Sequence, residues 1–144
     1  MSGPHASRAR RAAVLLGVVA CIASGCSNSK SAVAKNPHSG DATASPVGGV
    51  QQVVMTSGPD LRFHPSTITV HPGKVRVVLK NVAPGGGPPH NIQAPSVPGL
   101  AIGEVDAGQT QSATFTAPAP GRYSFVCTFH RAQGQYGTLV VKTG

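Results

Sequence analysis

Residues 123–141 of the chain read YSFVCTFHRAQGQYGTLVV. Two strand-like runs, around Phe125 and Leu139, are separated here by a short polar loop. Cys127 ends the first run, His130 follows three residues later, and Gln135 follows five residues after that. A cysteine and a histidine at this spacing, where a strand passes into a loop, can direct a thiolate and an imidazole at one point. The loop can return a third side chain there, so the stretch predicts strands that carry a candidate metal site.

Short strand patterns continue upstream of this stretch. Residues 74–82 alternate, with Val75, Val77 and Leu79 on one face, as in a strand half buried in a sheet. No window sustains a helical period with helix caps. Strands at intervals of about ten residues indicate an all-β fold, an antiparallel sandwich or barrel. The other strand candidates are residues 50–56, 66–70, 90–94, 100–105, 109–117, 122–127 and 137–142.

The composition agrees with a small β protein. The 144 residues suit one domain or slightly more, and they include 18 glycines and 13 prolines but no tryptophan. Charged residues make up only 11%. Glycine and proline break helices, and the charged surface of a helical bundle is missing, so the composition argues against a helical bundle.

The first 25 residues have the features of a secretory signal peptide. Three arginines precede an apolar run over residues 12–23, which is too short to span a bilayer as a helix. The run ends in Ala23-Ser24-Gly25-Cys26, which resembles the bacterial lipobox, and this resemblance implies acylation of Cys26. An ordinary signal peptide cut nearby is the alternative, and the pair Arg10-Arg11 also permits twin-arginine export. We expect a lipid-anchored protein on the outer face of the cytoplasmic membrane, or a periplasmic or extracellular one.

Residues 26–49 are rich in small and polar residues, and we expect them to form a disordered tether. The folded domain is then predicted over residues 50–144. Without the signal peptide, nine basic and four acidic residues remain, a formal net charge of +5 from scattered positions. No basic stripe or aromatic platform forms, which argues against nucleic-acid binding.

The cysteine count excludes a stabilising disulfide. Cys21 lies in the signal peptide and Cys26 in the lipobox, so Cys127 stands alone. Burial as a small hydrophobic residue would explain Cys127 equally well by itself. His90, however, opens another strand-like segment after a Gly/Pro loop and is a candidate for a further ligand. A thiolate, two imidazoles and a weak axial Met or Gln form the blue-copper arrangement.

Residues 50–144 resemble a cupredoxin, the small plastocyanin-like blue-copper domain. The resemblance implies a Greek-key β-sandwich that holds one copper ion, Cu(I) or Cu(II), near one end. The matching pieces are Phe63-His64-Pro65, Ile68-Thr69-Val70, Pro72-Gly73, the strand from Val75 to Asn81, His90-Asn91-Ile92, the run from Phe125 to His130 and the run from Gly134 to Val141.

The resemblance also implies residue roles. His90, Cys127 and His130 would be the equatorial ligands, and Gln135 would take the axial position that is Met in most plastocyanin-like members. Asn91 would tie the two ligand loops together, and its amide could bond the cysteine sulfur. Such contacts tune a metal site as strongly as the ligands do.

These roles predict a carrier of single electrons at the cell envelope. Four protein donors leave no coordination position for a substrate, which argues against an enzyme. We expect a monomer that meets redox partner proteins through an apolar rim around His130, made by Phe129, Ala132, Pro88 and Pro89. An envelope copper carrier or sequestration protein and a metal-free interaction module are the alternatives.

Overall fold

The structure, a computed structural model, describes residues 38–144. The predicted signal peptide, Cys26 and residues 26–37 of the predicted tether lie outside the described residues. Within residues 38–144, no helix is long and apolar enough to cross a membrane.

Eleven strands and one short 3-10 turn, Arg131–Gln133, form the described part of the chain. The strands are β1 (Asp41–Thr43), β2 (Ser45–Val47), β3 (Val50–Ser57), β4 (Phe63–His64), β5 (Thr67–Val70), β6 (Lys74–Asn81), β7 (His90–Gln93), β8 (Ala101–Val105), β9 (Thr110–Thr116), β10 (Gly121–Val126) and β11 (Tyr136–Val141). All eight predicted strands are present, each end within two residues of its prediction. The all-β class is therefore confirmed.

The strands form two sheets that enclose the core. The first sheet has six strands in the order β1-β5-β11-β10-β7-β8. The second has the order β2-β3-β6-β9, with β4 paired to β3 as its fifth strand. This arrangement confirms the predicted cupredoxin-like β-sandwich.

The expectation that the sandwich is antiparallel is wrong for three strand pairs. β3 pairs with β6, β5 with β11 and β1 with β5, all in parallel. Between β3 and β6 the chain crosses to the other sheet, forms β5 and returns, which supplies the long connection that parallel neighbours require. Alternation of apolar residues identifies the buried face of a strand but not its direction, so the pattern could not show this.

The predicted domain start at Val50 is also wrong. β1 and β2 lie in residues that we assigned to the tether, and Ala44 between them is buried. The Ala44 N–H donates to the Thr69 carbonyl at 2.8 Å, and the Ser39 N–H donates to the Ser66 hydroxyl at 2.9 Å. These short edge strands pair through their backbones and contribute only the small side chains of Ala42 and Ala44 to the core, so the sequence shows no strand pattern there. The folded domain includes residues from about Ser39 onwards.

Aromatic packing beside β10 and β11 fixes the end of the sandwich that carries the candidate site. Phe125 on β10 is buried against Phe63, with ring centroids 5.3 Å apart. Phe125 also pairs in register with Gly137 on β11, where a Cβ atom would lie 2.1 Å from the Phe125 ring. Glycine at 137 thus lets the ring lie across the neighbouring strand. The segments that leave β10 and enter β11 start from this rigid contact.

Candidate metal centre

Backbone hydrogen bonds shape the loop between β10 and β11. Cys127 follows β10 directly, and its N–H donates to the Gln135 carbonyl at 3.0 Å. The His130 N–H donates to the Cys127 carbonyl at 3.3 Å, and the Gln135 N–H donates to the His130 carbonyl at 3.2 Å. Gly134 reverses the chain after the 3-10 turn with a φ of 83°, a left-handed conformation that favours glycine. The loop therefore folds back so that residues 127, 130 and 135 face one point.

His90 reaches the same point from a neighbouring strand. It is the first residue of β7, which pairs with β10 through Val126 and Gln93, and it is fully buried. The potential ligand atoms of His90, Cys127 and His130 all lie within 4.8 Å of one another. Cys127 and His90 are buried, and His130 is half-buried. The predicted three-residue cluster is thus assembled by the fold.

Gln135 completes the cluster with an amide oxygen. Its Oε1 lies 3.1 Å from Nδ1 of His90 and 3.1 Å from Nδ1 of His130. The same His130 nitrogen lies 3.5 Å from Sγ of Cys127. The amide is fully buried, and its Nε2 donates to the hydroxyl of Ser57 at 2.5 Å. One sulfur, two imidazole nitrogens and one amide oxygen therefore converge.

Burial keeps His90 in the form that binds metal. Desolvation is the main cause that lowers the pKa of His90, and it outweighs the hydrogen bond to Gln135, which raises that pKa. A lowered pKa leaves the imidazole neutral at neutral pH. Neutral imidazole is the ligating form of histidine.

The donor set fits copper. A thiolate is a soft ligand that suits copper, imidazole suits it as well, and an amide oxygen is a recognised weak axial donor to such sites. The donors come from strand ends and from a loop that its own backbone hydrogen bonds hold. The cluster therefore matches the blue-copper donor set in identity and in convergence.

Asn91 joins the two segments that carry the cluster. Its Nδ2 donates to the Thr128 hydroxyl at 2.8 Å, and its Oδ1 accepts the Thr128 N–H at 2.8 Å. These two bonds link the segment after His90 to the segment after Cys127. The hydrogen bond from the Asn91 amide to the cysteine sulfur stays a prediction.

Sequence reasoning missed one polar residue at the centre. Ser57 ends β3, is fully buried and binds the Gln135 amide from the opposite sheet. No pattern in the sequence connects two residues that lie 78 positions apart.

The histidines that adjoin prolines take no part in the cluster. His64 is exposed and lies 2.6 Å from a carboxylate oxygen of Asp60, and His71 is exposed beside its turn. Neither belongs to the group of convergent ligand atoms. Both histidines lie on the surface of the domain.

A two-sheet β-sandwich with a His–Cys–His group at one end defines a class of small metal-binding domains. A family model described as a cupredoxin-like domain matches residues 16–141. The chain therefore belongs to the cupredoxin-like family. Family membership and the donor set together make copper the cofactor of this site.

Comparison with individual proteins agrees with this family. A 39-residue segment, 26% of the chain, is 49% identical to auracyanin-B of Chloroflexus aurantiacus, and it spans only 17% of that relative. Reduced auracyanin of Roseiflexus castenholzii is similar in structure, with 26% identity and a TM-score of 0.54 over 63% of this chain and 96% of that one. The metal-binding domain of the Cu(I)-exporting P-type ATPase of Streptococcus pneumoniae has a TM-score of 0.59 at 19% identity, over 72% of this chain and 97% of that one. The last similarity shows a shared fold alone.

Proposed function

We propose that the protein binds one copper ion in a type I site and carries single electrons at the cell envelope. His90, Cys127 and His130 would hold the ion as equatorial ligands, with Gln135 as the axial ligand. Bound copper supplies one-electron chemistry by alternating between Cu(II) and Cu(I). The similarity to auracyanins supports the proposal.

The observation that carries the proposal is the convergence of four donors on a frame that the fold already holds. His90, Cys127 and Gln135 are buried, and the loop is fixed by its own backbone hydrogen bonds. A held geometry limits the rearrangement of ligands when the oxidation state changes. Little rearrangement is what fast electron transfer requires, whereas an enzyme would need a coordination position left open for substrate.

His130 is the proposed route for electrons. Among the four proposed ligands it alone is not buried, and the neighbouring Phe129 is 45% exposed. A partner protein that covers this face would come close to the imidazole edge. Redox partner proteins of the envelope are the proposed partners, and the protein would act as a monomer.

The proposed location rests on the N-terminal segment of the sequence. An exported chain acylated at Cys26 would be anchored to the outer face of the cytoplasmic membrane. Twelve residues, 27–38, separate Cys26 from Ser39, which hydrogen-bonds to Ser66 of the domain. The copper site would then stay close to membrane-bound partners.

The test is a titration of the mature protein with Cu(II), followed by visible absorption and EPR spectroscopy. We expect one copper per chain and the intense charge-transfer absorption of a Cu(II)–thiolate bond. Cys127→Ser should abolish this absorption because it removes the thiolate, and the matched variant Cys26→Ser should keep it. Absence of bound copper, or an intense colour that survives in Cys127→Ser, would contradict the assignment.

Redox cycling separates the proposed electron carrier from a carrier of the metal itself. We expect repeated oxidation and reduction with full retention of copper, since three of the four proposed donors are buried. Rapid loss of copper to an apo acceptor during cycling would instead indicate delivery or sequestration of copper.

A further inference from the structure

Ser57 connects the second sheet to the amide of Gln135. Ser57 is the last residue of β3, and both side chains are fully buried. Gln135 Nε2 donates to Ser57 Oγ at 2.5 Å, across the sandwich and between residues 78 positions apart. Of the contacts that fix the Gln135 side chain, this one comes from outside the loop and from outside the proposed ligands.

The hydroxyl of Ser57 donates its hydrogen bond in one defined direction. Ser57 Oγ lies 2.7 Å from the carbonyl oxygen of Arg62, and a carbonyl oxygen only accepts hydrogen bonds. The single hydroxyl proton is therefore committed to Arg62. Ser57 then presents lone pairs to Gln135 and accepts from its NH₂ group, whereas it has no proton left to offer the Gln135 carbonyl.

The surrounding backbone holds Ser57 in place. The Ser57 carbonyl accepts the Val82 N–H at 2.8 Å, and the Gly58 carbonyl accepts the Leu61 N–H at 3.0 Å. The turn over residues 58–61 thus delivers the Arg62 carbonyl to the serine. The acceptor role of Ser57 follows from this fixed geometry.

We propose that Ser57 is a positioning residue that determines which end of the Gln135 amide faces the copper. With Nε2 bound to Ser57, Oε1 faces the two histidine nitrogens, 3.1 Å from each. The reversed amide would present NH₂, which is a hydrogen-bond donor and offers no lone pair to a metal. This inference rests on the proposed copper site and assigns a cause for the axial oxygen donor.

The first test compares the reduction potential of the copper-loaded protein in Ser57→Ala and Ser57→Thr. We expect an upward shift in Ser57→Ala, since a freed amide donates its oxygen less effectively to Cu(II), together with a changed EPR spectrum. Ser57→Thr keeps the hydroxyl and should stay nearer to the wild-type potential. Ser66→Ala is the matched control, because Ser66 is also buried and hydrogen-bonded through its hydroxyl, to the Ser39 N–H. A folded Ser57→Ala protein with the wild-type potential and EPR spectrum would overturn the inference.

The second test repeats Ser57→Ala in a Gln135→Met background. Methionine has no amide to orient, so a residue that acts only through Gln135 should have little effect there. The coupling between positions 57 and 135 should then account for most of the shift in reduction potential that Ser57→Ala causes in the wild-type background. An equal shift in both backgrounds would show that Ser57 acts by another route and would overturn the inference.

The third test needs no copper. In the metal-free, ¹⁵N-labelled protein, the Gln135 NH₂ protons should exchange slowly with water, and about tenfold faster in Ser57→Ala, the change expected for loss of one good hydrogen bond. Equal exchange rates in both proteins would overturn the inference. A wild-type protein that binds no copper but shows this difference would instead remove the proposed function and leave the Ser57–Gln135 contact established.

Discussion

At the scale of single residues, the identity of the axial donor sets the balance between the two oxidation states of copper. An amide oxygen is a harder donor than a thioether, and harder donors favour Cu(II). We therefore predict that Gln135→Met raises the reduction potential. A tenfold change in relative affinity moves a one-electron potential by about 59 mV, and we expect a rise of at least that order.

Voltammetry of the copper-loaded protein measures this change. Gln133→Met is the matched control, because Gln133 lies in the same loop but is exposed. The control should keep the wild-type potential. An unchanged or lower potential in Gln135→Met would count against Gln135 as the axial ligand.

Asn91 should determine how firmly the two ligand segments are held together. Asn91→Ala removes both bonds to Thr128 and leaves the Thr128 N–H without this partner. We predict a loss of about 1–3 kcal/mol in the free energy of unfolding of the metal-free domain. Copper should also leave the loaded protein faster when a chelator is added.

Urea denaturation and the rate of copper removal test this prediction. Gln111→Ala is the matched control, since Gln111 is exposed and its side chain donates to the Glu104 carbonyl. The control should change the free energy of unfolding by no more than about 0.5 kcal/mol. Equal effects of the two substitutions would contradict a special role for the Asn91 link.

At the scale of elements, the contact between Phe125 on β10 and Gly137 on β11 supports the loop that carries three of the proposed ligands. A Cβ atom at Gly137 would lie 2.1 Å from the Phe125 ring, so Gly137→Ala forces the ring or the strand to move. Overpacking of this kind typically costs about 1–3 kcal/mol. We predict this loss in the free energy of unfolding, together with an altered EPR spectrum of the loaded protein, because Cys127 follows β10 directly.

Gly103→Ala is the control for this prediction. Gly103 lies in β8, where a Cβ atom would meet no atom nearer than 3.9 Å. Thermal unfolding of both variants should show a lower midpoint for Gly137→Ala alone. A stable Gly137→Ala protein with an unchanged spectrum would show that the ring contact does not support the site.

The same elements show how far the sequence predicts the fold. Alternation identified β6, because Val75, Val77 and Leu79 are buried on one face, and each of the other strand candidates corresponds to one of the longer strands. The short strands β1, β2 and β4 were missed because two or three residues are too few to show an alternating pattern. Parallel pairing was missed because it depends on where the chain crosses between the sheets.

The sequence also predicts only part of the candidate site. Cys127, His130 and Gln135 lie within nine residues of one another, so their spacing alone indicated a shared site. His90 required the resemblance to a family to be assigned as a ligand. Ser57 could not be predicted, because its contact with Gln135 exists only after the two sheets pack together.

At the scale of the whole molecule, the proposed route for electrons leaves the protein beside an exposed aromatic side chain. Phe129 is 45% exposed, and its ring centroid lies 6.4 Å from that of His130 in an edge-to-face arrangement. Ala132 of the predicted rim is exposed as well, and Pro88 and Pro89 are half-buried. An exposed aromatic residue next to a half-buried ligand is suited to dock a partner protein.

We predict that Phe129→Ser slows electron exchange with the physiological redox partner at least tenfold, because truncation of a central aromatic anchor typically costs 2 kcal/mol or more of binding free energy. The reduction potential should stay unchanged, since Phe129 is not among the four proposed ligands. Stopped-flow kinetics at subsaturating partner concentration, with voltammetry alongside, separates the two effects. Val54→Ser is the matched control, because Val54 is 43% exposed but lies on β3 in the opposite sheet. The Val54→Ser protein should exchange electrons with the partner at the wild-type rate. Equal rates for Phe129→Ser and wild type would place the docking face elsewhere on the molecule.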